Sequence, residues 1–218
     1  MAEWTIPNLA ADPGWHGGRS HALVWALELG DPADRLMRAA RRRLGPALLE
    51  RYERQPHATV SYAGLLGGSE ADGYGPSSLA RDLSRLRPLV RGPVAVVAQD
   101  WDSFPMVPYL ALAADWLHLA HAALPTPGFH GAMTYRPHLT VGQYARRMPL
   151  AEVRRMLAGL PAAGEWVVGQ LSLLHYDTED ISGPLTAEGH LDLTSGEFRW
   201  GCQSLLRGRL GSGGGVNN

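Results

Sequence analysis

The sequence of 218 residues contains no lysine, because all of its 20 basic residues are arginine. Schiff-base enzymes, ligases that form a lysyl-adenylate and P-loop nucleotidases need a lysine at the reactive centre, so these classes are excluded. The formal net charge is −1 and the pI is about 6.8. No general basic field indicates nucleic acid, and any charge that binds phosphate has to be local.

The chain also has a single cysteine, Cys202, so neither an intramolecular disulfide nor a two-cysteine metal knuckle can form. This cysteine usage predicts a reducing, cytoplasmic location. The first residues lack the basic and apolar regions of a signal peptide, and the longest apolar runs are far shorter than the roughly 20 residues that span a bilayer. We expect a monomer without a membrane-spanning segment.

A five-residue pattern, Pro-His-x-Thr-Val, occurs twice, at 56–60 and at 137–141. Both copies lie in stretches that have the character of a β-strand, where successive side chains point to opposite faces. His57 and Thr59 therefore share one face, as do His138 and Thr140, while the residues between them face a core. Because threonine also has a high strand propensity, a purely structural role for both copies is the alternative.

Two histidines in one cleft indicate general acid–base catalysis, because imidazole can accept or donate a proton near neutral pH. One neutral ring can take a proton from water or a hydroxyl, and the other, as imidazolium, can protonate the leaving oxygen. Each threonine hydroxyl can donate a hydrogen bond to a phosphoryl oxygen. This chemistry needs no metal and no covalent intermediate, and it suits a phosphodiester, especially a ribose cyclic phosphate.

The pattern of elements predicts an α+β protein in which strand, helix and motif strand occur in each half of the chain. We expect one domain over 1–207, with an irregular arm at 1–20 and a hairpin at 184–200, followed by a disordered tail at 208–218. Helices are predicted over 32–44, 45–52, 76–89, 115–124 and 149–160, and one long apolar strand over 165–176.

The duplicated His-x-Thr-hydrophobic signature resembles the 2H phosphoesterase superfamily, which includes the 2'-5' RNA ligase and cyclic phosphodiesterase proteins. The resemblance covers roughly residues 20–176 and implies a bilobal fold, with two pseudo-symmetric antiparallel sheets and outer helices around a central cleft. It implies that His57 and His138 are the acid and the base, that Thr59 and Thr140 bind phosphate, and that no metal or cofactor takes part. The implied substrate is a nucleotide or RNA phosphodiester, such as a 2',3'-cyclic phosphate or a 2'-5' linkage.

The second motif departs from many relatives, in which a leucine, a small residue and an arginine follow. Here the residues are Val141, Gly142 and Gln143, and Gln143 keeps hydrogen-bonding capacity without the charge. The substrate therefore does not follow from the resemblance. Strand alternation places Gly142 on the face of His138, where the missing side chain leaves room for substrate.

Four further side chains are weaker candidates for substrate binding. Ser61 shares the face of His57 by alternation, Tyr135 can stack on a base, Arg136 can pair with phosphate, and Gln143 can donate or accept a hydrogen bond. The same alternation turns Tyr62 towards the core.

Two other functions stay open from the sequence. The first is a non-catalytic RNA- or nucleotide-binding module that retains the cleft. The second is a metallohydrolase that uses His118 and His121, three residues apart on a helix, but no nearby carboxylate completes a usual ligand set. We therefore expect a packing or surface role for these two histidines.

Overall fold

The computed structural model describes residues 3–8, 14–67, 73–124 and 134–210. Within them, nine strands form one antiparallel sheet that is accompanied by five helices, so the α+β class is confirmed. The strands are β1 (His21–Glu28), β2 (His57–Leu65), β3 (Val94–Ser103), β4 (Pro108–Ala113), β5 (His138–Thr140), β6 (Glu165–Val168), β7 (Gln170–Asp177), β8 (Thr186–Asp192) and β9 (Phe198–Trp200). The helices are α1 (Gly30–Leu44), α2 (Pro76–Leu86), α3 (Asp115–Ala123), α4 (Leu150–Leu157) and α5 (Leu205–Leu210).

The two motif strands are neighbours in the middle of the sheet. Its order is β6-β3-β4-β5-β2-β1-β7-β8-β9, and Ala58 of β2 stands opposite Leu139 of β5. The expected division into two sheets is not found, because the strands of the described residues all belong to this one sheet. Strands far apart in the sequence thus meet where the two motifs lie.

One face of the sheet carries the main core. Leu23, Trp25 and Leu27 of β1 point to this face and pack in one buried cluster with residues from all five helices. The helices supply buried stripes at the expected spacing, such as Leu79 and Leu83 of α2. Because the helices lie on this face, the opposite face is left for a small apolar cluster of Val24, Ala26, Leu174 and Leu185, and for the motif side chains.

Two predicted elements are different in the structure. The long strand at 165–176 is two strands, since β6 pairs with β3 and β7 pairs with β1 on the other side of the sheet, with Gly169 between them. The helix at 45–52 is only a single 3₁₀ turn, Gly45–Ala47. After this turn, Leu48 forms a bridge with Tyr144, and the Arg41 guanidinium donates to the carbonyls of Leu49 and Glu50.

The two ends of the chain can also be compared with the elements predicted from the sequence. The strands β8 and β9 pair where the hairpin is predicted, and Trp4 of the arm forms a bridge with Pro149. Residues 208–210 of the predicted disordered tail belong to α5, and residues 211–218 lie outside the described part of the chain. In the described ranges, no helix has both the length and the apolar character that a membrane crossing requires.

Candidate active site

The pairing of the motif strands brings the two histidines together. With Ala58 opposite Leu139, His57 stands beside Thr140 and Thr59 stands beside His138, on the face opposite the main core. The two histidines are therefore diagonal neighbours on adjacent strands, a relation in which the Cα atoms are about 7–8 Å apart. Each imidazole lies next to the hydroxyl of the other motif.

Both imidazoles are oriented in the same way. His57 Nδ1 donates to the carbonyl of Gln55 over 2.6 Å, and His138 Nδ1 donates to the carbonyl of Arg136 over 2.7 Å. In each case the acceptor lies two residues earlier, with a proline between. Because a carbonyl can only accept, Nδ1 carries a hydrogen and Nε2 is left to exchange a proton with a ligand.

The surroundings favour the neutral form of both rings. His57 is only 5% exposed, and burial lowers its pKa to about 4, with smaller contributions in the same direction from Arg54 and His138. Burial also lowers the pKa of His138, and the charge of Arg136 adds to that effect. At pH 7 the unliganded site therefore contains two neutral imidazoles, and a bound anion is needed to favour an imidazolium.

Arg136 contacts Tyr109, whose ring meets the His138 imidazole. Its guanidinium donates to the Tyr109 hydroxyl over 2.6 Å and contacts Asp102 at 3.4 Å, and 56% of its side chain is exposed. Asp102 is also held by Arg154, with Nε 2.7 Å from Oδ1. This network joins the β3–β4 hairpin to Arg136, which precedes β5, and to Arg154 of α4, and it fixes the direction of the Arg136 charge.

Aromatic rings form the wall next to His138. The rings of Phe104 and Tyr109 stack on each other and meet the imidazole edge-on, at centroid distances of 5.2 and 5.3 Å. Sequence reasoning missed Phe104, Tyr109 and Asp102, because no motif connects this hairpin with His138. Only the register, which sets Tyr109 opposite Thr140, brings them to the site.

The expected position of Ser61 is wrong. The pairing of β1 with β2 shifts between Thr59 and Ser61, so Thr59 stands opposite Ala26 whereas Ser61 stands opposite Trp25, a residue of the main core. A β-bulge of this kind inserts one residue and reverses the alternation that follows. Tyr62 consequently packs with the small cluster on the site face instead of facing the main core.

Tyr135 does not offer its ring for base stacking as suggested. Its hydroxyl donates to the Thr59 carbonyl over 2.8 Å, and its ring stacks on His121 at 4.0 Å. His121 in turn is hydrogen-bonded to the Val60 carbonyl over 2.7 Å, and His118 meets Tyr135 edge-on. These histidines pack as expected, and in the described ranges no three His, Cys, Asp or Glu side chains gather as a metal site.

The residues that follow the second motif make contacts within the protein. Ser182 donates its hydroxyl to Gln143 Oε1 over 2.9 Å, which ties Gln143 to the β7–β8 connection. Gly142 does not leave room for substrate, because a Cβ atom there would lie 2.5 Å from Arg41 Nη1. Arg41 uses this space to donate to the Val141 carbonyl.

The β7–β8 connection, residues 178–185, is fastened to the segment that precedes His57; we call it the strap. Gln55 holds Leu185 by two hydrogen bonds of 2.8 Å, from its side-chain amide to the carbonyl and from the Leu185 amide to Oε1. The Glu53 amide donates to the Ser182 carbonyl, and Arg51 pairs with Asp180 at 2.7 Å. Gln55 thus joins the strap with its side chain and orients His57 with its backbone.

With His57 in the acid–base role that the sequence predicts, we expect the replacement Gln55→Leu to lower kcat by about 10- to 100-fold, because small displacements of such a group have effects of that order. Loss of both bonds to Leu185 also lowers the free energy of unfolding by about 1–3 kcal/mol. Steady-state kinetics and urea unfolding measure the two effects, with the exposed Gln99→Leu as the control. Unchanged kcat in Gln55→Leu would show that the strap does not position His57.

Comparisons with known proteins identify the family of the chain. A family model described as the 2'-5' RNA ligase superfamily matches residues 29–180. Among solved structures, TT0787 of Thermus thermophilus has 18% identity and a TM-score of 0.49, and it aligns over 70% of this chain and 87% of its own. LigT of E. coli in apo form has 15% identity and a TM-score of 0.44, over 84% and 94%.

A structure described as a phosphoesterase has 15% identity and a TM-score of 0.48, over 80% of this chain and 99% of its own. A comparison with curated protein sequences gives no match. The assignment of the chain therefore rests on the family model, which covers more than half of its residues.

Proposed function

We propose, from the premise that the chain belongs to the 2'-5' RNA ligase superfamily, that it is a metal-independent phosphodiesterase acting on a nucleotide or RNA phosphodiester. The main support is the pair of imidazoles on adjacent strands, each held through Nδ1 by the carbonyl two residues earlier. Both Nε2 atoms are thereby free for proton exchange on one face. A 2',3'-cyclic phosphate or a 2'-5' linkage fits this chemistry.

We assign the base to His57 and the acid to His138. The more deeply buried His57 is held neutral, so its Nε2 accepts a proton from the attacking water as the oxygen adds to phosphorus. The phosphodiester anion favours the imidazolium of the less buried His138, and this ring donates its Nε2 proton to the departing ribose oxygen. Solvent then returns each ring to its starting state.

In this mechanism, the two threonine hydroxyls and the Arg136 guanidinium bind the phosphoryl group. Thr140 stands beside His57 and Thr59 beside His138, so each can donate a hydrogen bond to a non-bridging oxygen. Arg136, exposed at the rim and directed by Tyr109, can approach the developing negative charge.

We expect a bell-shaped dependence of kcat/KM on pH with its maximum in the acidic range. Activity rises as pH passes about 4, where His57 becomes a neutral base as its pKa dictates. It falls as pH passes the pKa of His138, which burial places below the ordinary value of about 6.5. Initial rates on 2',3'-cyclic AMP, measured from about pH 3.5 to 9 with about 5 mM EDTA, check both limbs.

Two results would contradict the proposal. Loss of turnover in EDTA with full recovery on addition of a divalent metal ion would assign the chemistry to a metal. Saturable binding of cyclic nucleotides and 2'-5' oligonucleotides without any product, over the whole pH range, would favour the non-catalytic nucleotide-binding module instead.

A further inference from the structure

Within the part of the chain that the structure describes, Arg54, unlike Arg51 and Arg136, has no acidic partner. Arg51 is paired with Glu53 and Asp180, and Arg136 contacts Asp102. Over the described ranges, no carboxylate oxygen lies within 4.0 Å of the Arg54 guanidinium. The charge of this half-buried cation is therefore not compensated by a neighbouring carboxylate.

The surroundings of Arg54 leave one of its donors without an acceptor. The guanidinium lies over the ring of Tyr176, with Cζ 4.2 Å from the centroid, while Nε is buried and has no hydrogen-bond partner among the described residues. Buried polar groups in proteins are almost always paired, so such a group indicates a partner that enters from solution. Arg54 also interacts with the Tyr176 hydroxyl, and stacking on the aromatic face leaves the remaining N–H groups of the guanidinium edge for a ligand.

The chain places this cation next to the first imidazole. Only Gln55 and Pro56 separate Arg54 from His57, and Gln55 is fixed at both its side chain and its carbonyl. The positive charge of Arg54 contributes to the lowered pKa of His57, as that of Arg136 does for His138. An arginine thus precedes each catalytic histidine, three residues before His57 and two before His138.

We propose that Arg54 binds the phosphoryl group of the substrate, taking two of its oxygens with the guanidinium edge; the inference rests on the proposed function. A phosphate or phosphodiester anion is the ligand class that matches this edge, because the fork of N–H groups fits two oxygens at once. With Arg54 on the side of His57 and Arg136 on the side of His138, the anion lies between two cations and two imidazoles. Gln143, tied to Ser182, supplies no charge to this arrangement.

The test compares Arg54→Met, Arg54→Lys and Arg51→Met with the unmodified protein. Isothermal titration calorimetry with inorganic phosphate is expected to give at least tenfold weaker binding for Arg54→Met. We expect an intermediate loss for Arg54→Lys, which keeps the charge and loses the fork. Arg51→Met, in the same segment but paired with Asp180, is the matched control and is expected to bind phosphate like the unmodified protein.

Kinetics separate binding from a structural effect. Arg54→Met is expected to raise KM for 2',3'-cyclic AMP more than it lowers kcat, and to move the acidic limb of kcat/KM to higher pH, because a cation near His57 is lost. Equal phosphate affinity in Arg54→Met and the unmodified protein, or no phosphate binding by either, would overturn the inference. If the unmodified protein binds phosphate through Arg54 but turns over no phosphodiester, the inference stands and the proposed function fails.

Discussion

Replacing His57 or His138 by alanine is expected to lower kcat by about 10²- to 10⁴-fold, the range that a general acid or base contributes. Each replacement removes the Nε2 atom that exchanges the proton and leaves the partner ring in place. We expect the double variant to be little slower than either single one, because an acid and a base that act in one step are not additive. Single-turnover and steady-state rates on 2',3'-cyclic AMP measure the effect.

The control for this experiment is His121→Ala. His121 also bonds to a backbone carbonyl through Nδ1 and stacks on an aromatic ring, but it contacts Val60 and Tyr135 instead of facing the site. It therefore reports the cost of losing a packed imidazole without loss of a catalytic one. Because His57 is buried, His57→Gln is a second variant that avoids a cavity. Unchanged kcat in folded His57 and His138 variants would show that neither imidazole takes part in the proposed mechanism.

Replacing Glu188 by alanine is expected to lower the free energy of unfolding by about 3–5 kcal/mol, as is usual when one member of a buried ionic network is removed. The Glu188 side chain is fully buried. It accepts hydrogen bonds from His175 Nδ1 at 2.7 Å, from the Ser204 hydroxyl at 2.5 Å and from the Leu206 amide at 2.9 Å. Its loss leaves these donors unpaired and frees α5 from β8. Urea unfolding measures the difference.

The Glu188 effect has a defined pH dependence. Burial alone raises the pKa of the Glu188 carboxyl, but hydrogen bonds from His175, Ser204 and Leu206 outweigh it, so its pKa is lowered. The stabilisation is therefore complete above the unfolded value of about 4.3 and is lost as pH falls through the folded pKa. The difference in the free energy of unfolding between the unmodified protein and Glu188→Ala therefore becomes smaller in acid.

The matched control for Glu188→Ala is Glu197→Ala, which removes an exposed carboxylate paired with Arg199 at 2.8 Å. Solvent screens such an exposed pair, so this variant should unfold almost like the unmodified protein. Equal stabilities of the Glu188 and Glu197 variants would mean that the buried network does not hold α5.

The strand alternation read from the sequence was sufficient for the two motifs, because His57, Thr59, His138 and Thr140 lie within the first residues of their strands. It failed at Ser61, one residue after the bulge. A bulge is a property of two paired strands, and nothing in 57–65 alone identifies the partner or the shift. The predicted strand over 165–176 fails for the same reason. It divides at Gly169 only because β6 pairs with β3 and β7 pairs with β1.

The sequence pattern did not identify the side chains that reach the site from outside the two motifs. Arg54 stands three residues before His57, yet it lies over the ring of Tyr176 of β7, a tertiary contact that no local pattern indicates. Asp102 and Tyr109 reach Arg136 through the register of β4 and β5. Conversely, Tyr135 has the chemistry of a base-stacking residue, but His121 and the Thr59 carbonyl already use its ring and its hydroxyl.

The position of β5 in the sheet has a consequence for how the site comes into being. The groups β6-β3-β4-β5 and β2-β1-β7-β8-β9 meet only where three-residue β5 lies beside β2. Closing this joint brings together His57 and His138, 81 positions apart, and the entropic cost of such a loop has to be met before the contact contributes anything. The two imidazoles therefore come together only through the tertiary pairing of β5 with β2, in a protein whose two strand groups also share one buried core. A change that disturbs this pairing is expected to lower turnover, because it displaces one imidazole relative to the other.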